Sequence, residues 1–293
     1  MTLPRFEYVA PKTLQEACLV LIEHQGRARA MTGGTDLLPK MKDRILTPQY
    51  VIGLKSIAGL NYVRKDDQGL KIGALATLTQ VAEAPEVLRD FPLLAEAILK
   101  VASVQVRNIG TVAGNLCNAS PSADTAPALM VMGAKVKLLD AGGKERTLPL
   151  EDFFAGPGKT ALQEGELLEE VQVPKPPAGS GGAYRKLSLR RAMDLATVGV
   201  GCFLTLDGGV CRDVRIALGA VGPTPLRAKE AEDAVRGGGL TEAVLEKASA
   251  AAVAASRPIT DIRGTEEYRR KMVGVLTRQA ISEAWEKAGT GRR

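Results

Sequence analysis

Two stretches of this 293-residue chain are built almost wholly from small and polar residues: MTGGTDLL at 31–38 and RNIGTVAGNLCNASPSAD at 107–124. Runs of Gly, Thr, Ser and Asn in turns let several backbone N–H groups face one concavity, which suits an anion such as a pyrophosphate. Glycine is expected there because a Cβ would hold the phosphate off and because left-handed backbone costs it little. Thr35, Thr111 and Ser122 are candidate hydroxyl donors. Asp36 and Asp124, being negative, suit the hydroxyls of a ribose or ribityl chain instead. Taken singly each stretch is a weak signal, since a Gly-Gly-Thr-Asp run is more often only a turn.

Commoner chemistries lack their residues. Neither stretch fits G-x-G-x-x-G after a strand, and no G-x-x-x-x-G-K-[ST] occurs. The one histidine, His24, ends a helical pattern before Gly26, a place for capping or a surface role, so a Ser-His-Asp triad has no base. Cys18, Cys117, Cys202 and Cys211 lie far apart without a C-x-x-C pair, which speaks against a disulfide framework, an iron–sulfur cluster or a structural zinc. The net charge of +6 is dispersed and aromatics are only 4%, so a nucleic-acid surface has little material. Solubility, or docking to an acidic partner, accounts for the charge. No apolar run reaches the length of a membrane span. The opening MTLPRFEYVAPKTLQEA lacks the layout of a secretory signal, so the expected location is cytoplasmic. Two phosphate-friendly loops without metal or nucleophile point to redox chemistry borrowed from a bound dinucleotide.

The elements that must carry these loops are legible in outline. TLQEACLVLIEHQG reads as a helix with a capping box, Thr13 with Glu16, and ARAM is a short strand feeding the first loop. YVIGL is a buried strand, and NYVRKDDQGLKIGA two strands about a polar turn. Thr77 with Gln80 forms a second capping box, and Pro92 opens the helix FPLLAEAILKVAS. The second loop follows, then the strands KVKLLD and ELLEEVQVP. PKPPAGSGG at 174–182 reads as a linker. Beyond it AYRKLSLRR, ATVGVGCFLTL and VCRDVRIALGAVG are antiparallel strands, with Asp207-Gly208-Gly209 turning the second pair. Three helices close the chain, the last with Met272, Val275, Leu276 and Ala280 as its expected core stripe. The chain is thus α+β, in three pieces.

The motifs TGGTDLLPKMK, VRNIGTVAGNLCNASPSADTAPAL, ELLEEVQVP, YRKLSLRRAMDLATV, GAVGPTPLRA and TDIRGTEEYRRKMVGVLTRQAI occur in one order over nearly the whole chain. Together they closely resemble the FAD-binding medium subunit of the molybdenum hydroxylases, the family of xanthine dehydrogenase and aerobic carbon monoxide dehydrogenase. The resemblance implies a two-subdomain FAD-binding fold of the vanillyl-alcohol-oxidase type, with subdomains at 1–60 and 61–175, followed by a C-terminal α+β domain with an antiparallel sheet at 183–293. It implies electron transfer through FAD to an external acceptor. A large molybdopterin-binding subunit and a small subunit with two-iron clusters are the implied partners, paired as a dimer of heterotrimers.

Residue by residue, the family's first FAD loop falls on Thr32, Gly33, Gly34, Thr35 and Asp36. The second falls on Thr111, Val112, Ala113, Gly114 and Asn115, with Ala102 upstream and Asp124 downstream. Ala113 stands where relatives often have glycine, an expected tolerated change. Leu168 and Lys186 match residues near the isoalloxazine, and Tyr184 lies where some relatives have an aromatic lid. Solvated lysine and packing tyrosine are the plainer alternatives for the last two. A branch resembling 4-hydroxybenzoyl-CoA reductase carries a Cys-rich insertion for an extra cluster, which this chain lacks. Two other functions stay open: a stand-alone flavoenzyme resembling the UDP-N-acetylenolpyruvylglucosamine reductases, and a non-enzymatic binding module. The first needs substrate arginines and a proton donor in its last domain, where GAVGPTPLRA and IRGTEEYRR match the hydroxylase subunits instead.

Overall fold

A computed structural model describes residues 2–190 and 192–290. Three parallel strands begin the fold, Glu7–Val9, Ala28–Met31 and Tyr50–Gly53, with the last in the middle. Parallel neighbours need crossovers, and the helices Leu14–Glu23 and Leu37–Lys42 supply them. Thr13 accepts from the Glu16 amide, as a cap should. The Glu16 carboxylate, however, reaches the Lys12 amide at 2.7 Å, so the expected box closes one residue early. His24 is the C-cap of this helix, and its ring stacks on Tyr50 at 3.7 Å between centroids.

The second unit is a five-stranded antiparallel sheet in the order Val63–Lys65, Gly69–Gly73, Leu167–Pro174, Lys135–Leu139, Glu145–Pro149. Between its second and third strands in chain order lie six short helices, from Leu78–Glu83 to Thr125–Val131. The Thr77–Gln80 capping box forms in full, and Pro92 opens its helix. The edge strand Glu145–Pro149 has no apolar signal in the sequence, because ERTLP buries none of its five residues.

Ser180–Leu187, Val198–Asp207, Val210–Gly219 and Leu226–Arg227 make an antiparallel sheet in chain order. The turn between its two long strands carries Gly208 and Gly209 at φ of 57° and 80°, as a tight hairpin requires. The linker is shorter than its composition suggests, because Ser180, Gly181 and Gly182 belong to the first strand. Gly181 is glycine because a Cβ there would run into the backbone of Ala284 and Ala288 in the long helix Glu266–Gly289. That helix turns Val273, Leu276, Ala280, Ile281 and Ala284 to the core, while Val275 is 39% exposed. The expected stripe was therefore rotated by part of a turn: Leu276 and Ala280 are in it and Val275 is not.

The helix Thr125–Val131 joins the halves. All seven of its residues are buried, and it packs on both long strands of the last sheet. Gly201 and Gly219 make room for it: a Cβ on Gly201 would lie 3.0 Å from the Pro127 carbonyl, and one on Gly219 2.9 Å from its ring. Among the described residues no helix is long and apolar enough to cross a membrane.

Candidate functional site

The first loop leaves the strand Ala28–Met31. Thr111 of the second is the N-cap, and Val112–Asn115 the first turn, of the helix Val112–Cys117, so this stretch is helical where its composition reads as turns. They meet back to back. The Thr32 and Thr111 hydroxyls bond at 3.0 Å, and Thr111 Oγ1 also accepts from the Gly114 amide at 2.9 Å. A Cβ on Gly33 would overlap the Ile109 carbonyl, and one on Gly114 would lie 2.8 Å from Thr32 Oγ1. The approach of loop to loop by itself calls for glycine at these two positions. Gly34 has φ 73°, the conformation for which glycine is suited.

Both loops open on one cleft of about 570 Å³, lined by Thr32, Gly33, Gly34, Thr35, Asp36, Ala102, Thr111, Ala113, Gly114, Asn115, Asp124 and Leu168. None of the backbone amides from Thr32 to Asp36 donates to a protein acceptor among the described residues. Five consecutive N–H groups with no protein acceptor on a half-exposed cleft wall are open to water or to an anion. A nest of this kind fits a diphosphate. The expected hydroxyl donors are otherwise engaged in part, Thr111 as above and Ser122 with Ser120 at 3.0 Å. Asn115 Oδ1 accepts from Thr125 Oγ1 at 2.6 Å.

At one edge Asn118 bridges Lys40, at 2.6 Å, and Asp36, at 3.1 Å. Burial raises the Asp36 carboxyl above its ordinary range, and the Lys40 ammonium pulls it back down. Leu168 comes from the strand Leu167–Pro174, whose pairing with Lys135–Leu139 is interrupted by a bulge between Leu168 and Glu170. Bulges of this kind re-aim side chains beside sites. Cys117 also lines the cleft, but burial pushes its thiol up to about 12, which keeps it protonated at neutral pH.

Tyr184 and Lys186 stand one layer behind. Tyr184 is 1% exposed, and its hydroxyl donates to Asp124 Oδ1 at 2.8 Å. Lys186 Nζ donates to Asp124 Oδ2 at 2.8 Å and to the carbonyls of Lys100 and Asp194 at 2.9 and 2.8 Å. Burial raises the Asp124 carboxyl, opposed by the Lys186 charge and both hydrogen bonds. Burial beside that carboxylate also raises the Tyr184 phenol. Met193, Asp194 and Leu195 complete the rim, and Arg29 and Lys40 add positive charge to the lining. None of these five was singled out from the sequence. RRAMDLATV was recognised as a motif, but nothing in its composition marks a cleft wall.

Residues 4–176 match the family described as FAD binding domain in molybdopterin dehydrogenase. The chain belongs to that family. Residues 183–284 match a second, the CO dehydrogenase flavoprotein C-terminal domain. The carbon monoxide dehydrogenase medium chain of Afipia carboxidovorans is 36% identical over 279 residues, covering 95% of this chain and 96% of the relative. The xanthine dehydrogenase FAD-binding subunit of Escherichia coli O157:H7 is 31% identical, covering 96% and 97%. Among solved structures, a carbon monoxide dehydrogenase from Hydrogenophaga pseudoflava superposes with a TM-score of 0.95 at 36% identity, covering 98% of this chain and 99% of that one. The family and fold implied by the motifs are thereby met over both halves. The C-terminal match leaves the reading as a stand-alone reductase without its own last domain.

Proposed function

We propose that this cleft holds one FAD per chain without a covalent bond, and that the chain is the electron-passing subunit of a molybdenum hydroxylase. The observation that carries the reading is the row of five unpaired amides from Thr32 to Asp36, set at the mouth of a cleft that the second small-residue loop also lines. FAD, when bound, supplies a ring that accepts and releases electrons. The chain's own part is to bind and orient. The Thr32–Asp36 amides cradle the diphosphate, Gly114 lets the second segment lie close against them, Asp36 and Asp124 accept hydrogen bonds, and Leu168 offers an apolar wall.

The lining supports the non-covalent reading. His24 is engaged with Tyr50 and lines no part of the cleft, and Cys117 is protonated at neutral pH. Substrate oxidation belongs to a large molybdopterin-binding partner and electron relay to a small subunit with two-iron clusters, the trio pairing again as a dimer, in the cytoplasm, with an external acceptor. The length-wide likeness to medium chains of dehydrogenases supports this.

The test is direct. Purified protein should carry stoichiometric FAD that leaves entirely with the supernatant on acid precipitation. Colour kept on the pellet contradicts the non-covalent claim, and a protein that ignores added FAD in calorimetry overturns the reading. Co-expression with the two partner chains should give a single assembly on size exclusion. If this chain elutes alone while the others associate, the subunit assignment fails.

A further inference from the structure

Arg269 belongs to the long helix Glu266–Gly289, lines no part of the cleft and is 3% exposed. A guanidinium buried so deeply must place its donors on fixed acceptors. Its Nη1 donates to the carbonyls of Thr197, at 2.9 Å, and Ala220, at 3.1 Å. Its Nη2 donates to Asp261 Oδ1 at 2.6 Å. Two of the three acceptors are backbone, so the residue does more than balance a charge.

Both carbonyls belong to segments that reach the cleft. Ala220 holds left-handed backbone at φ 62°, and its amide donates to the Pro121 carbonyl at 2.7 Å. A non-glycine residue keeps such backbone only where its surroundings hold it there. Pro121 sits between Ser120 and Ser122, which line the cleft. Their segment is an irregular link between the helices Val112–Cys117 and Thr125–Val131, so its place is set by anchors from outside. One anchor is the Gly158 amide on the Ala119 carbonyl, at 2.9 Å, and a second is Ala220. On the other side, Leu195 lines the cleft two residues before Thr197, whose amide donates to the Leu187 carbonyl at 2.8 Å. One guanidinium thus joins the serine wall to the Met193–Leu195 rim from behind. Asp261, the counter-charge, lies on an outer turn closed by paired backbone bonds with Gly264, and Ile262 beside it is 95% exposed.

We infer that Arg269 is a positioning residue, which sets the serine wall against the Met193–Leu195 rim through Ala220 and Thr197, with Asp261 orienting its guanidinium. This rests on the FAD reading above. A planar fork fixes two carbonyls at a set spacing, which a lysine of equal charge does not. Where the wall is not set in advance, bound FAD has to order the wall as well, and affinity falls by that cost.

FAD titration of the full-length chain, read by calorimetry and by the absorption spectrum of the bound flavin, tests this. Arg269→Lys should weaken binding by about 10-fold, as the loss of hydrogen bonds to buried carbonyls does. It should also move the spectrum toward that of free FAD. Asp261→Ala alters only the outer turn, and should move both readings in the same direction by about 3-fold in affinity. Amide hydrogen exchange should quicken at 119–124 and 218–221 in both variants. Two controls separate positioning from stability. Glu232→Ala removes another buried ion pair that lines no part of the cleft, and should leave affinity and spectrum as in the parent. Ile262→Ala alters the same turn without touching Arg269, and should also leave them unchanged. Parent-like affinity and spectrum in Arg269→Lys overturn the inference. So do equal spectral shifts in Asp261→Ala and in either control. If Arg269→Lys does not accumulate as folded protein, Asp261→Ala decides alone, and its parent-like behaviour overturns the inference. Failure of the unaltered chain to bind FAD overturns the reading beneath it as well, whereas binding with unchanged variants overturns this inference alone.

Discussion

Replacing Gly114 by valine is expected to abolish FAD retention while leaving the circular dichroism of the chain unchanged. The β-carbon would lie 2.8 Å from Thr32 Oγ1 and 2.9 Å from Thr111 Oγ1, closer than such contacts occur, and the valine methyls add more. The two loops must part, and with them go the Thr32–Thr111 bond and the cap on the Gly114 amide. The row of unpaired amides then loses the surface it rests against. A drop in affinity of at least about 100-fold, or about 2.7 kcal/mol, is the expected reading by calorimetry. Gly33→Ala should behave alike, since a single methyl already collides with the Ile109 carbonyl. Gly34→Val meets a different obstacle, a positive φ that valine resists. Gly239→Ala is the control: no atom lies within 4 Å of the added carbon, and its φ is not in the left-handed range. Stoichiometric FAD in Gly114→Val would show that loop contact does not build the site.

Glu232→Ala is expected to destabilise the chain strongly, although the residue lies far from the cleft. Glu232 is 3% exposed, and its carboxylate accepts from Arg227 Nε at 2.5 Å, from Arg227 Nη2 at 2.6 Å and from the Ile216 amide at 2.9 Å. Removing it leaves a half-buried guanidinium with only the more distant Glu151 carboxylate, 3.6 Å away, and strands a buried strand amide. Breaking a buried pair on one side costs about 3–5 kcal/mol. In a chain of this size that lowers the melting temperature by roughly 10 °C in scanning calorimetry. Asp207→Ala serves as the contrast, because its pair with Arg212 is about two-thirds exposed on both sides. An exposed pair contributes under about 1 kcal/mol, and its loss should barely register. Equal shifts for both variants would mean that Glu232 is not the keystone its burial suggests.

What the sequence made legible were local arrangements decided by neighbours in the chain. Thr77 with Gln80, Pro92, and Asp207-Gly208-Gly209 each specify a cap or turn within four residues, and each forms as read. The small-residue loops were legible for the same reason, as runs. Features set by distant packing were not. Gly181 and Gly182 look like linker until the long helix lies against the first and Leu93 and Phe203 against the second. Gly33 and Gly114 give no sign in the sequence of the opposing loop that lies against them. Lys186 carries no sign in YRKLS that its donors reach residues 62 and 86 positions away. The rim residues Met193 and Asp194 are likewise defined by a partner, the turn at Ala102, that composition does not mark.

The buried helix Thr125–Val131 has a bearing on how such chains can be divided and recombined. Its seven residues are shared property: the N-terminal half encodes them, and the C-terminal sheet covers them, receiving Pro127 between Gly201 and Gly219. Asp124, one residue ahead, answers to Tyr184 and Lys186 across the same seam. The join near residue 180, where one family match gives way to the other, is therefore not a border of stability. A fragment ending there would carry an uncovered apolar helix and a carboxylate without its counter-charge. Hybrids between relatives would hold together only if both sides of the seam, the proline and its two glycine seats, were inherited from one parent.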